Sequence, residues 1–160
     1  LLPQKINCFD HETGMRQEET ALKRYINAAL IYAILAMAGG VFYREFTKFN
    51  GFTAETALSV VHTHYFLLGM VFFLLLLLLE KSFSFTDAKT GRVLVIYQIG
   101  LNLTAVMFVL RGVTQVVAPA LSTGLDAAIS GVAGIGHILL GVSLVLLLVR
   151  IKRGVSAAQG

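Results

Sequence analysis

The sequence predicts an all-α integral membrane protein: a four-helix, up-down-up-down transmembrane bundle with both termini cytoplasmic. Three observations predict it. Of the 160 residues, 56% are hydrophobic and 14% charged, with a mean hydropathy of +0.77, whereas a soluble domain carries about 25% charged residues. Four runs lack Asp, Glu, Lys and Arg: 25–43, 56–79, 93–110 and 127–149. Each is close to the roughly 20 residues that a helix needs to cross hydrocarbon. The net charge of +4 is unevenly placed, with basic residues grouped at Arg16, Lys23, Arg24, then Lys81, Lys89, Arg92, then Arg150, Lys152, Arg153. Cytoplasmic loops carry the Lys/Arg excess, so the termini and the middle loop belong inside. This composition excludes a soluble enzyme, a nucleic-acid binder and a disordered chain. The basic balance expresses topology and attraction to anionic lipid.

Residues 1–21 read as a polar leader. Residues 1–14 lack the basic, apolar and small-residue stages of a secretion signal, and Met15 reads as a natural translation start. The single cysteine, Cys8, forms no internal disulfide. A four-span domain follows over 22–150, then a basic tail over 151–160. Span one covers about Leu22 to Tyr43, and Asn50-Gly51 marks its closing turn. Thr53 caps span two, with Glu55 in its first turn, and that span reaches about Leu79. Span three starts near Arg92 and stops before Pro119, which cannot donate a backbone hydrogen bond. Thr123-Gly-Leu-Asp126 resembles a capping box and opens span four, which continues to about Val149. Short loops make consecutive helices antiparallel neighbours. Tyr25, Tyr43, Phe46, Phe83 and Phe85 are the expected interfacial aromatics.

Ionisable side chains at membrane depth are costly, face the bundle interior and mark function. His62 and His64 on span two, Arg111 on span three and His137 on span four are such groups. At about 1.5 Å per residue from the outer caps, His64 lies roughly 16 Å down, His137 roughly 21 Å and Arg111 roughly 10 Å. His62 and His64 diverge by about 200° around a helix, which suits two separate sites sharing one helix rather than one metal grip. Gly134 and Gly141 share the face of His137, leaving room for close helix packing or for a flat porphyrin. Haem iron takes axial imidazoles, two of which give a low-spin electron-transfer centre. Its propionates need cationic partners, for which Arg111 and, at the outer end of span one, Arg44 are the candidates. Tyr97, Thr104 and Arg111 recur every seven residues as a polar stripe, with Gln115 one turn beyond Arg111.

Four segments carry a resemblance: Phe42-Tyr-Arg-Glu-Phe-Thr-Lys-Phe-Asn-Gly51, Val61-His-Thr-His-Tyr-Phe-Leu-Leu-Gly69, Leu110-Arg-Gly-Val-Thr-Gln115 and Gly134-Ile-Gly-His-Ile-Leu-Leu-Gly141. Together, over roughly 22–150, they resemble a bacterial four-transmembrane-helix family of unknown function. That likeness implies a multi-pass protein of the bacterial cytoplasmic membrane. His62-Thr-His64 is in addition similar to the His-x-His helix of haem–copper oxidase and nitric oxide reductase catalytic subunits. There the first histidine ligates the high-spin haem and the second the low-spin haem. The likeness implies His64 as a low-spin haem ligand, with His137 the available partner and His62 left for a second haem or a metal. The chain departs from that family in having no further histidine trio within its spans for a copper site.

The expectation is a haem b membrane cytochrome with His64 and His137 as axial ligands and Arg111 and Arg44 at the propionates. Its role is electron transfer or small-molecule redox chemistry near the outer face, as an oxidoreductase or an electron-transfer component. A homodimer in the lipid bilayer with a redox partner, and no nucleic acid, is expected. No CxxCH motif is present for covalent haem attachment. The alternative is a copper or zinc binding or transport protein using His62, His64 and His137 as metal ligands. A third possibility is an accessory subunit whose polar residues specify helix packing only.

Overall fold

The computed structural model describes residues 8–117 and 122–158. The chain forms four helices: α1 (Cys8–Phe49), α2 (Ser59–Phe83), α3 (Ala88–Val117) and α4 (Thr123–Ala158). Each contains a stretch long and apolar enough to cross a membrane. Much of the expected polar leader is helical and continuous with span one, because α1 begins at Cys8. Residues 1–7 lie outside the described residues. Antiparallel neighbours α1 and α2 pack along their lengths, as do α3 and α4, and α2 joins the two hairpins. Ile31, Ile34, Val41, Leu78, Ile138 and Val145 are among the large apolar side chains left on the outside, as a lipid solvent allows.

The interior is built on aromatic rings from three helices. Tyr32 stacks on Phe73 at 5.7 Å and on Tyr65 at 5.7 Å, while Tyr97 stacks on Phe72 at 4.5 Å. The Asn102 carboxamide ties α1, α2 and α3 together, donating to the Tyr32 hydroxyl at 3.0 Å and accepting from Tyr65 at 3.2 Å. Tyr25 and Phe85, expected at the membrane interface, are buried in this core instead. Both lie where the α2–α3 turn folds against α1, and packing there outweighs the interfacial preference of an aromatic ring. Backbones of α3 and α4 approach closely at two glycines. A Cβ on Gly100 would lie 2.6 Å from the Leu140 amide, and one on Gly136 would lie 2.6 Å from Thr104 Oγ1.

Span two starts later than the sequence signals suggest. Thr53 does not cap it: α2 begins at Ser59, and Leu58 at its cap supplies no side-chain bond. The connection is pinned from α3 instead. Buried Thr56 donates to the Gly112 carbonyl at 3.0 Å, and the Ala57 amide donates to Gln115 Oε1 at 2.8 Å. Tertiary bonds thus replace the local cap. The Asn50-Gly51 turn forms as expected, with Gly51 at φ +60° and the Phe52 amide bonded back to Thr47 O. Ser122 rather than Thr123 serves the start of α4, its hydroxyl accepting from the Leu125 amide.

At the opposite end, the α2–α3 turn is clamped by Glu80, which is 2% exposed. Its Oε2 accepts from the Phe85 and Thr86 amides at 3.1 and 3.0 Å and from Thr86 Oγ1 at 2.7 Å. The Tyr25 hydroxyl completes the chain through Thr86. Asp87 then caps α3, accepting from the Thr90 amide and hydroxyl, and pairs with Arg150 of α4 at 3.0 Å. Those Thr90 bonds, aided by Arg150, hold the Asp87 carboxyl below its ordinary range. Its stabilisation is therefore present above the ordinary aspartate pKa of about 4 and is lost as pH falls through the depressed folded value. Asp87→Ala is expected to remove about 1 kcal/mol of capping, or about 3 °C of thermal midpoint. Detergent unfolding at pH 7 reads that difference, which closes as the pH is taken below the carboxylate range.

Candidate functional site

His64 ends the first α-helical stretch of α2, Ser59–His64, and a π-helical stretch, Tyr65–Val71, follows at once. Its ring points toward α3 and α4. The His64 and His137 rings lie 6.3 Å apart between centroids, at 86° to each other. Phe108 of α3 stands edge-on to both, at 4.8 Å from His64 and 5.6 Å from His137. Three helices therefore converge on two imidazoles and one phenyl ring. Measured from Ser59, His64 is only about 8 Å down its helix, half the depth expected from a start at Thr53.

The local bonding of the two histidines is the same. His64 Nδ1 is 2.9 Å from the Val60 carbonyl and His137 Nδ1 is 2.8 Å from the Ala133 carbonyl, each one turn back on its own helix. A carbonyl only accepts, so Nδ1 is the donor in each bond, and in the neutral imidazole the lone pair falls on Nε2. An imidazole in that form can ligate a metal through Nε2, with its ring orientation held by the carbonyl bond. Two metal–imidazole bonds of about 2 Å place ring centres roughly 6 Å apart, close to the spacing observed. At this spacing the two imidazoles could hold one metal ion or one haem iron between α2 and α4. Phe108 flanks the line between them, so a macrocycle at this position displaces its ring.

His62 is not part of this convergence. It turns to α1, where a Cβ on Gly40 would lie 3.7 Å from the His62 Cβ, and its Nδ1 is buried without a hydrogen-bond partner among the described residues. Among the described residues no three His, Cys, Asp or Glu side chains come together as a metal cluster. The donor set is therefore two imidazoles, short of the four ligands of a structural zinc site and equal to the axial need of a haem.

Arg111 lies one turn beyond Phe108 on α3. Its Nη2 pairs with Asp126 Oδ1 at 3.1 Å and donates to Ser130 Oγ at 2.6 Å and, at 3.4 Å, to the Asp126 carbonyl. All three contacts use one nitrogen, and guanidinium has five N–H donors. Ser130 precedes His137 by two turns, about 10 Å, so Arg111 stands above the imidazole pair toward the α3–α4 turn. Arg44 stands elsewhere. Its side chain is 81% exposed, its only described charge contact is Glu45 at 3.8 Å, and it follows Gly40 by one turn, on the side of His62. Arg111 thus lies one turn from Phe108 on α3 and is tied to α4 through Asp126 and Ser130, whereas Arg44 stands apart on α1.

Gly134 and Gly141, on the face of His137, have nothing within 4 Å of a built Cβ; the glycine that seats α4 on α3 is Gly136. Packing within the chain does not explain the first two. Of the polar stripe, Tyr97 and Thr104 are buried and Arg111 is half-buried, while Gln115 serves the α1–α2 connection. Sequence reasoning missed Phe108, the π-helical stretch and the Arg111–Asp126 pair. Phe108 shares a helix face with Arg111 at i, i+3, and that was the available signal; nothing local announced the π-helical turn.

The family described as protein of unknown function (DUF2871) matches residues 22–154, and the chain belongs to it. No curated protein and no solved structure matches the chain.

Proposed function

We propose that this DUF2871 member is a membrane cytochrome that binds haem b between His64 and His137 and serves electron transfer or small-molecule redox chemistry. The observation that carries the reading is the facing imidazole pair at 6.3 Å, each with Nδ1 tied to its own helix and Nε2 open. When bound, the haem supplies a one-electron couple whose potential its axial ligands set. The chain's own residues do the rest. His64 and His137 hold the iron from two helices. Arg111 neutralises a propionate with the donors that Asp126 and Ser130 leave free among the described residues. The open Gly134 and Gly141 positions admit the edge of the ring. Arg44, on the His62 side, lies apart from the imidazole pair.

The three basic groups fall at one end of the bundle, where Arg150 meets Asp87 and Arg24 lies beside Gly91. In this reading that end is cytoplasmic, both termini lie inside, and the imidazole pair sits toward the outer face of a bacterial cytoplasmic membrane. A homodimer in the bilayer and a redox partner belong to the same proposal.

Colour and metal content of the detergent-purified protein test it. An intense Soret band with about one iron per chain supports the haem; copper or zinc without that band overturns it in favour of a bare ion. The flanking Phe108 ring favours this second reading, because a bare ion leaves it in place whereas a porphyrin does not. Phe108→Ala separates the two further. Opening the space is expected to speed haem uptake by apoprotein several-fold in a stopped-flow titration, and to leave a bare-ion affinity unchanged.

A further inference from the structure

The Phe72 amide shows what the π-helical stretch does to its own backbone. It bonds to the carbonyls of Leu67 and Gly69 and skips Leu68, the residue four back that it would meet in an α-helix. The Leu68 carbonyl, at membrane depth, is compensated from another helix: the Tyr97 hydroxyl donates to it at 2.7 Å. Tyr97 is 0% exposed and held by Phe72 stacked at 4.5 Å and Phe73 edge-on at 6.2 Å. Gly69, within the stretch, lies against the Tyr32 ring so closely that a Cβ would come within 2.6 Å of it. The stretch is thus gripped from α1 and α3 together.

One extra residue in a turn rotates everything beyond it by about 100° relative to an uninterrupted α-helix. The lower half of α2 is fixed by buried Phe73, Leu76 and Glu80. The rotation is therefore taken up by the upper half, which carries His64.

We propose that Tyr97 is a positioning residue for His64: its hydroxyl, by holding the Leu68 carbonyl, keeps residues 65–71 in the π-helical form that aims the His64 imidazole at His137. The proposal deepens the haem reading and rests on it for its spectroscopic consequence, while its geometric consequence stands without haem. Tyr97 touches neither imidazole. It acts through the backbone of α2.

The test is Tyr97→Phe, which keeps the ring and removes the hydroxyl. In the haem-loaded protein the ratio of two-imidazole, low-spin haem to single-imidazole, high-spin haem is expected to fall about fivefold, the population shift of one lost hydrogen bond. Leu147→Ala, a truncation of a fully buried side chain on α4, is the control. It lowers the melting midpoint and leaves the spin ratio unchanged, so mere destabilisation does not mimic the effect. Independently of haem, His64→Cys with His137→Cys in a Cys8→Ser background is cross-linked by a short bis-thiol reagent, and adding Tyr97→Phe is expected to lower the yield about as much. A Tyr97→Phe protein with unchanged spin ratio and unchanged cross-linking overturns the proposal. A wild-type protein that binds no haem overturns the haem reading alone, and the cross-linking yield then decides the positioning role by itself.

Discussion

If the protein binds haem as proposed, His137→Ala is expected to abolish the low-spin spectrum and to leave helix content and melting midpoint nearly unchanged. The two halves of this expectation have separate physical grounds. The imidazole of His137 is exposed and hydrogen-bonds to the Ala133 carbonyl of its own helix, so its removal breaks no hydrogen bond to another helix and gives up only ring contacts with His64 and Phe108. Surface changes of that kind stay within about 0.5 kcal/mol. As an axial ligand its removal is not graded, because an iron with one imidazole is no longer low-spin in the same way. His64→Ala gives the same spectral loss. His62→Ala, on the α1 side, retains the low-spin form. A folded His137→Ala protein with the wild-type spectrum would falsify the axial assignment.

Gly136→Leu gives the largest expected loss of fold. Its Cβ alone would stand 2.6 Å from Thr104 Oγ1 and 3.0 Å from the Thr104 amide, and backbone has nowhere to go. Overpacking a well-filled interior costs about 1–3 kcal/mol, and a branched side chain driven between two backbones belongs at or beyond the top of that range. The α3–α4 hairpin opens, and His137, the next residue, moves with it. Gly134→Leu is the informative contrast. Nothing lies within 4 Å of that position, so the melting transition stays where it is, while haem uptake falls because the side chain fills the space beside His137. A Gly134→Leu protein that loads haem as wild type would show that this face is not part of the site. Thermal unfolding in detergent and a haem titration read both variants.

The helices and their antiparallel order were legible because hydrocarbon leaves a chain few options: every backbone amide must bond within its own segment, and a charge-free run of the right length declares itself. His64, His137 and Arg111 could be singled out for the same reason, since ionisable groups in or beside apolar runs are expensive. The caps were less so. Thr53 has the right chemistry to cap a helix, yet Gln115 and Gly112 of α3 hold that connection and α2 starts at Ser59. A local signal names what a residue offers; it does not say which distant partner will take it. Tyr25 and Phe85 show the same limit, since an aromatic near a membrane boundary serves an interface or a core depending on what packs beside it.

Glu80 is the clearest case among the charges. In the sequence it closes an apolar run beside Lys81; in the fold it is buried and organises the α2–α3 turn. The sequence by itself determined that this protein has four helices able to span a membrane, with the basic groups gathered at one end, because one-dimensional apolar length and charge spacing govern those properties. Only the tertiary structure decided that His64 meets His137 beside Phe108 while His62 turns to α1, and that Arg111 pairs with Asp126. Those choices depend on helix rotation, and rotation is set by the π-helical turn and by the glycine contacts between helices. Neither has a one-dimensional period to read.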